Sequence, residues 1–164
     1  MAKRQFIVCD PIKCDGCGIC ELACSQTKSK VFNPELSRIR VIRVDHIANA
    51  AIACRQCEDA KCIAACAKEA LEMKDGILVC DAEKCNLETM CIEACPFGAL
   101  FPDHVKKEVI ACDLCPDDRI DGKPPCVYYC PKEALSLETA EAVTQKEPKN
   151  ILLQQLEEAE KQEV

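Results

Sequence analysis

Residues 13–24 read KCDGCGICELAC, and residues 84–95 read KCNLETMCIEAC. The first stretch carries Cys14, Cys17, Cys20 and Cys24, spaced C-x2-C-x2-C-x3-C. In the second, Cys85, Cys91 and Cys95 match Cys14, Cys20 and Cys24, while Glu88 stands in the place of Cys17. Two further groups have related spacing: Cys54, Cys57, Cys62 and Cys66, and Cys112, Cys115, Cys126 and Cys130, the latter with a ten-residue central gap. The repetition reaches beyond cysteine. CAKEAL (66–71), CPFGAL (95–100) and CPKEAL (130–135) are one phrase written three times, and VCDPIKC (8–14) is echoed by VCDAEKC (79–85). The chain is a set of related short modules.

C-x2-C-x2-C-x3-C is the bacterial iron–sulfur spacing, in which three closely spaced thiolates grip one cubane and the fourth serves its neighbour. The reason is geometric: so short a loop can wrap three corners of a cube, and the last corner must be reached from elsewhere. Gly16 and Gly18 suit such a loop because they tolerate positive φ and let backbone N–H groups face sulfur. Pro96 and Pro131, each just after a closing cysteine, are placed to stop a helix from running back through the site. Structural zinc is the competing chemistry, and the pairs at 54/57 and 112/115 would satisfy it taken alone. The triplet at 14, 17 and 20 fits a tetrahedral pair-plus-pair site badly.

Composition points the same way. Of 164 residues, 17 are cysteines and only 4% are aromatic, so bulky apolar material for an ordinary core is scarce. Such a cysteine content would signal disulfides in a secreted protein. The opening MAKRQFIVCDPIKC shows no long apolar stretch, cleavage site or twin arginine, so the expectation is a cytoplasmic metal binder. No run approaches the roughly 18 apolar residues of a membrane span. A formal net charge of −7 argues against nucleic acid and anionic lipid as partners.

From about residue 4 to 137 the chain resembles the four-cluster, ferredoxin-like electron-transfer subunits of anaerobic oxidoreductases. Those serve formate dehydrogenase and formate hydrogenlyase, carbon monoxide dehydrogenase, tungsten aldehyde oxidoreductase and the dimethyl sulfoxide reductase group. The matching pieces are FIVCDPIKCDGCGICELAC, ACRQCEDAKC, CIEACPFGAL, and ACDLC with its long gap to CVYYCPKEAL. The resemblance implies that the first cysteine group pairs with the fourth and the second with the third. It assigns Cys14, Cys17, Cys20 and Cys130 to one cluster, and Cys112, Cys115, Cys126 and Cys24 to its neighbour. It assigns Cys54, Cys57, Cys62 and Cys95 to a third cluster. A fourth is left with Cys85, Cys91 and Cys66.

The fold implied is α+β: two interleaved bacterial 2[4Fe–4S] ferredoxin-like units built of short hairpins and short helices. The outer unit is 1–48 with 101–138, the inserted inner unit is 49–100, and 139–164 is a helical tail. The partners implied are a catalytic molybdenum or tungsten, carbon monoxide dehydrogenase or hydrogenase-type subunit, and a second redox partner.

Three outcomes compete at the incomplete site: Glu88 ligates the odd iron, the cluster is [3Fe–4S], or the loop carries none. Cys80 looks like a substitute ligand. Cys9, however, stands at the same offset before an already complete group, so both read as small apolar residues on the strand entering each module. Strands are expected at 5–10, 38–44 and 108–112, a hairpin at 71–79 turning on Asp75-Gly76, and short helices after each third cysteine. Lys13, Arg55, Lys61, Lys68 and Lys84 stand beside ligands, where positive charge raises cluster potentials. His46 and His104 are isolated, and Tyr128 and Tyr129 read as packing residues. Residues 151–163 read as an amphipathic helix through Ile151, Leu152, Leu156 and Ala159.

No nucleophile elbow, phosphate loop, dinucleotide fingerprint or haem motif occurs. The expected role is a non-catalytic electron carrier held in a complex. A diffusible polyferredoxin and a zinc-binding adaptor are the alternatives.

Overall fold

Among the described residues, eight short strands pair two by two into four separate antiparallel ribbons. The computed structural model describes residues 4–44 and 48–145. Strand β1 (Gln5–Cys9) pairs with β8 (Leu135–Thr139), which brings the two ends of the described chain together. The other ribbons are hairpins: β2 (Ile39–Val44) with β3 (Ala48–Ala53), β4 (Leu71–Lys74) with β5 (Ile77–Cys80), and β6 (Leu100–Asp103) with β7 (Glu108–Ala111). β1 also packs on β3, and β5 on β7.

The expected strands at 5–10, 38–44, 71–79 and 108–112 are present to within a residue or two. Asp75 and Gly76 both take positive φ at the hairpin turn. Strand β3, ANAAIA, was not legible because alanine has little strand preference. Its alanines have a packing reason: Ala51 and Ala53 are buried opposite Val41 and Ile39, and Ala51 borders a cysteine-lined cavity where a larger side chain would intrude.

Five α-helices are present among the described residues, and of these α1 (Ile19–Ser29) is the longest. α2 (Lys61–Ala64), α3 (Met90–Glu93) and α4 (Pro125–Tyr128) are single turns, and α5 (Ala140–Gln145) follows β8. Helices α1 to α4 hold the third cysteine of each group, or its counterpart Cys91, inside their first turns, where Cys20, Cys62, Cys91 and Cys126 are buried; the expectation that the helices follow it is corrected. α1 packs on α4 and α2 on α3, so the first cysteine group faces the fourth and the second faces the third.

Tyr128 and Tyr129 are also corrected. They are 44% and 52% exposed and meet edge to face at 5.1 Å. One turn of helix has a single inward side, and Pro125 and Cys126 occupy it. His46 and the 151–163 helix lie outside the described residues.

The core is small. Ile7, Ile39, Leu71, Leu78, Leu100, Val109 and Leu135 are packed among cysteines rather than against one another alone. A buried polar residue ties parts of it together: Gln56 donates from Nε2 to the Cys112 carbonyl at 2.7 Å and accepts the Leu78 N–H on Oε1 at 2.8 Å. Burying an amide is costly unless both ends are satisfied, and here both are.

Candidate metal centres

All 17 cysteines are free thiols. Cys14, Cys17, Cys20 and Cys130 line one cavity. Cys54, Cys57, Cys62 and Cys95 line a second, of about 170 Å³. Cys66, Cys85 and Cys91 line a third, and Glu88 and Asn86 border it with them. Cys24, Cys112, Cys115 and Cys126 lie within electrostatic reach of one another. A larger, open apolar groove of about 700 Å³ between α1 and α4 contains no cysteine. Among the described residues, no three Cys, His, Asp or Glu side chains close on a point as one metal ion requires. The thiols surround spaces instead.

The loops are shaped by one backbone device. The residue before the second cysteine, or its counterpart, is left-handed in every group: Gly16 (φ 75°), Gln56 (φ 50°), Leu87 (φ 59°) and Leu114 (φ 62°). Glycine is the natural residue there, but only the first loop uses it. The other three accept strain of about 1–3 kcal/mol each, held by the surrounding structure. At Gly16 a Cβ would also come within 2.7 Å of Asn49 Oδ1, because the β2–β3 hairpin presses on this loop. Arg43 from that hairpin donates to the Gly16 carbonyl from Nε and Nη2, at 3.0 and 2.6 Å.

A second device explains the thrice-written phrase. Glu69, Gly98 and Glu133 are left-handed and donate to the carbonyl of the cysteine three residues earlier. The next amide, of Ala70, Ala99 and Ala134, is thereby aimed at Sγ of Cys66, Cys95 and Cys130, at 3.3, 3.5 and 3.3 Å. Cys24, inside α1, receives its amide from Arg38 at 3.3 Å instead. Each group's closing sulfur thus accepts a backbone N–H. Proline is not what sets this turn: Ala67 follows Cys66 where Pro96 and Pro131 follow the others, and the geometry is unchanged. The alanine is required because the position is 1–4% exposed.

The VCD echo is also physical. Asp10 N–H donates to the Ala134 carbonyl at 2.8 Å, and Asp81 N–H donates to the Ala70 carbonyl at 2.7 Å. Each aspartate carbonyl then accepts from the first cysteine of the following loop, Cys14 or Cys85.

Burial pushes the Cys54 thiol up to about 11 and the Cys20 and Cys115 thiols up to about 12, and it raises Cys112 and Cys126 strongly. Metal binding must therefore expel the protons. Thiols in sets of three and four, preformed loops and aimed amides suit polynuclear iron–sulfur chemistry. Cys9 and Cys80 are equivalent to each other. They lie beside Cys14 and Cys85, Cys9 accepts the Ala51 amide at 3.2 Å, and burial raises them to about 11 and 12. Cys80 does not border the Glu88 cavity.

Glu88 occupies Cys17's place in full. Both are exposed, both follow a left-handed residue, and both precede another, Gly18 (φ 77°) or Thr89 (φ 63°). Asn86 Nδ2 donates to Glu88 Oε1 at 2.6 Å. Beside Cys115, Lys28 bridges Asp118 and Asp113 at 2.8 and 3.0 Å, and Arg38 joins Asp113 at 2.7 Å. Burial opposes the charge on Lys28, but the two aspartates outweigh it and raise its pKa.

Of the other cations expected near ligands, Arg55 and Lys61 border the Cys54 cavity and Lys68 the Glu88 cavity. Lys13 and Lys84 instead pair with Asp10 and Asp81, at 4.0 and 3.6 Å. Gln56, Leu87 and Leu114 escaped sequence reading. Aligning the residue before each second cysteine would have exposed them as one position.

A chain whose thiols are mounted this way is a ferredoxin-type iron–sulfur protein. Residues 46–140 match the family described as "4Fe-4S dicluster domain", and the chain belongs to it. It is 38% identical over 149 residues to the putative electron transport protein YsaA of Escherichia coli K12, covering 85% of this chain and 93% of that one. It is 38% identical over 130 residues to the polyferredoxin-like subunit of an aliphatic sulfonate oxidoreductase of Pyrococcus furiosus, covering 78% and 72%. Electron transport protein HydN of E. coli K12 is 36% identical over 154 residues, covering 80% and 86%. The active-site complex BamBC of benzoyl coenzyme A reductase contains a chain with a TM-score of 0.50 at 22% identity, covering 93% and 96%, a likeness of fold alone. The protein is therefore a 4Fe–4S electron-transport protein related to oxidoreductase subunits. No helix among the described residues is long and apolar enough to cross a membrane.

Proposed function

We propose that the chain is a non-catalytic subunit that passes single electrons through four clusters, between a catalytic metalloenzyme subunit and a second redox partner. The observation that carries this reading is the grouping of thiols from distant sequence, three sets around separate cavities and a fourth set within electrostatic reach of one another. Cys14, Cys17, Cys20 and Cys130 hold the first cluster. Cys112, Cys115, Cys126 and Cys24 hold the second, and Cys54, Cys57, Cys62 and Cys95 the third. Cys85, Cys91 and Cys66 hold the fourth, with a Glu88 oxygen at the odd corner; a [3Fe–4S] cluster is the other form compatible with three thiols.

When bound, each cluster takes up and returns one electron. The protein's part is to exclude water, supply amide donors to sulfur and fix the distances between sites. An inner unit of about 49–100 is inserted into an outer one, and α1 against α4 and α2 against α3 support that division. The Pyrococcus relative, a subunit by name, supports a partnered role, with a molybdenum, tungsten, carbon monoxide dehydrogenase or hydrogenase-type enzyme as the catalytic partner.

The test is iron and acid-labile sulfide analysis of anaerobically purified protein, with native size exclusion. Close to four cluster equivalents in a large complex is the expected result. A lone small species carrying the same clusters would make it a diffusible carrier, and a colourless protein would overturn both readings. Glu88→Ala is expected to alter the EPR signature of one cluster and leave the others unchanged.

A further inference from the structure

The residue after the first cysteine differs among the four loops in a way that separates one site from the rest. It is Asp15, Asp113 and Asn86 in three of them. Asp15 and Asp113 fold back as loop-closing acceptors, taking the amides of Cys17 and Cys115 at 3.1 Å each. Asn86 is turned to Glu88. In the loop of Cys54 and Cys57 the residue is Arg55, a cation that cannot accept.

Its side chain is held elsewhere. The guanidinium carbon lies 5.3 Å from the ring centre of Phe6 and 5.8 Å from that of Phe97, both within cation–π range. Phe6 comes from β1 and is buried; Phe97 comes from the CPFGAL phrase. Neither ring neutralises the charge. Arg55 and Phe97 both border the cavity of Cys54, Cys57, Cys62 and Cys95.

The charges bordering that cavity are two cations, Arg55 and Lys61, against one anion, Asp59. Elsewhere the signs balance. Asp15 and Lys132 both border the first site, Glu88 and Lys68 both border the fourth, and at the second Lys28 and Arg38 pair with Asp113 and Asp118. Adding an electron to a site is easier when an uncompensated cation is held beside it in partly buried surroundings.

We infer that Arg55, fixed by Phe6 and Phe97, makes the Cys54/Cys57/Cys62/Cys95 site the highest-potential of the four, where the first electron to enter the chain settles. This rests on the cluster assignment proposed above. Arg55 acts as a positioning residue: it touches no reacting atom and works through its field.

The experiment is an EPR-monitored redox titration of the full-length protein, with Cys57→Ser identifying the signal of this site. In the unaltered protein that signal is expected to be reduced first. Arg55→Gln is expected to move its midpoint negative and leave the other clusters in place, and Arg55→Lys to restore most of the shift. Were Arg55→Gln to lose the cluster, Phe97→Leu keeps the charge but frees the side chain, and a smaller negative shift is expected. The inference is overturned if the Cys57-dependent signal is not first to appear. It is equally overturned if Arg55→Gln, or Phe97→Leu in its stead, leaves that midpoint unmoved in protein with full iron and sulfide. Absence of iron and sulfide from the unaltered protein would instead defeat the cluster assignment itself.

Discussion

The loop of residues 14–20 turns on glycines where the loop of residues 85–91 turns on leucine and threonine. Gly16 and Gly18 have φ of 75° and 77°; Leu87 and Thr89, in the same places, have 59° and 63°. A backbone shape that glycine adopts freely costs L-residues about 1–2 kcal/mol each, yet the second loop keeps it while giving up a thiol for Glu88. Loop shape and donor identity are therefore separable. The fold retains the shape because both loops are fixed at the same points, by an aspartate carbonyl ahead of the first cysteine and by a helix turn around the third.

Removing iron is expected to have the largest effect on both loops. With so little core beyond the cysteines, chelation under reducing conditions is expected to abolish most far-ultraviolet circular dichroism, for both loops alike, in one cooperative loss. Retention of the native spectrum would show that the loops hold their shape without metal.

Exchanging the donors is the next largest perturbation. Glu88→Cys is expected to give the fourth site the spectroscopic character of an all-thiolate cubane, and Cys17→Glu to give the first site the character now peculiar to the fourth. The check is EPR of each variant with iron analysis. An unaltered spectrum in both would make position 17/88 irrelevant to the clusters.

The smallest effects sharpen the backbone half of the comparison. Gly16→Ala is expected to destabilise by about 1–3 kcal/mol, through positive φ and the Asn49 contact. Thr89→Gly is expected to stabilise by about 0.5 kcal/mol, relief of strain being partly offset by glycine's greater freedom when unfolded. Denaturant unfolding of the cluster-loaded variants measures both.

Much of this was legible in the sequence because cysteine spacing is a direct record of loop geometry. The four cysteine groups, the hairpin at Asp75-Gly76 and the carboxylate at position 88 could be read as written. What could not be read depends on contacts made across the chain. β3 is a strand because it borders a cavity and pairs with β2, not because alanine favours strands. Tyr128 and Tyr129 look like packing residues until α4 proves to be a single turn. Gln56 is unremarkable in sequence, yet its side chain joins two cysteine loops and a hairpin. Propensity argues against left-handed Leu87, Gln56 and Leu114, and only their alignment with Gly16 gives them away; the surrounding structure is what overrules propensity there.

The pairing of β1 with β8 sets a timetable for biosynthesis. β1 emerges from the ribosome about 130 residues before its partner strand, which at 5–20 residues per second is a wait of about 7–26 s. The α2–α3 half, whose contacts are local, can close during that interval. The β1–β8 ribbon, by contrast, can form only once both of its strands have been made.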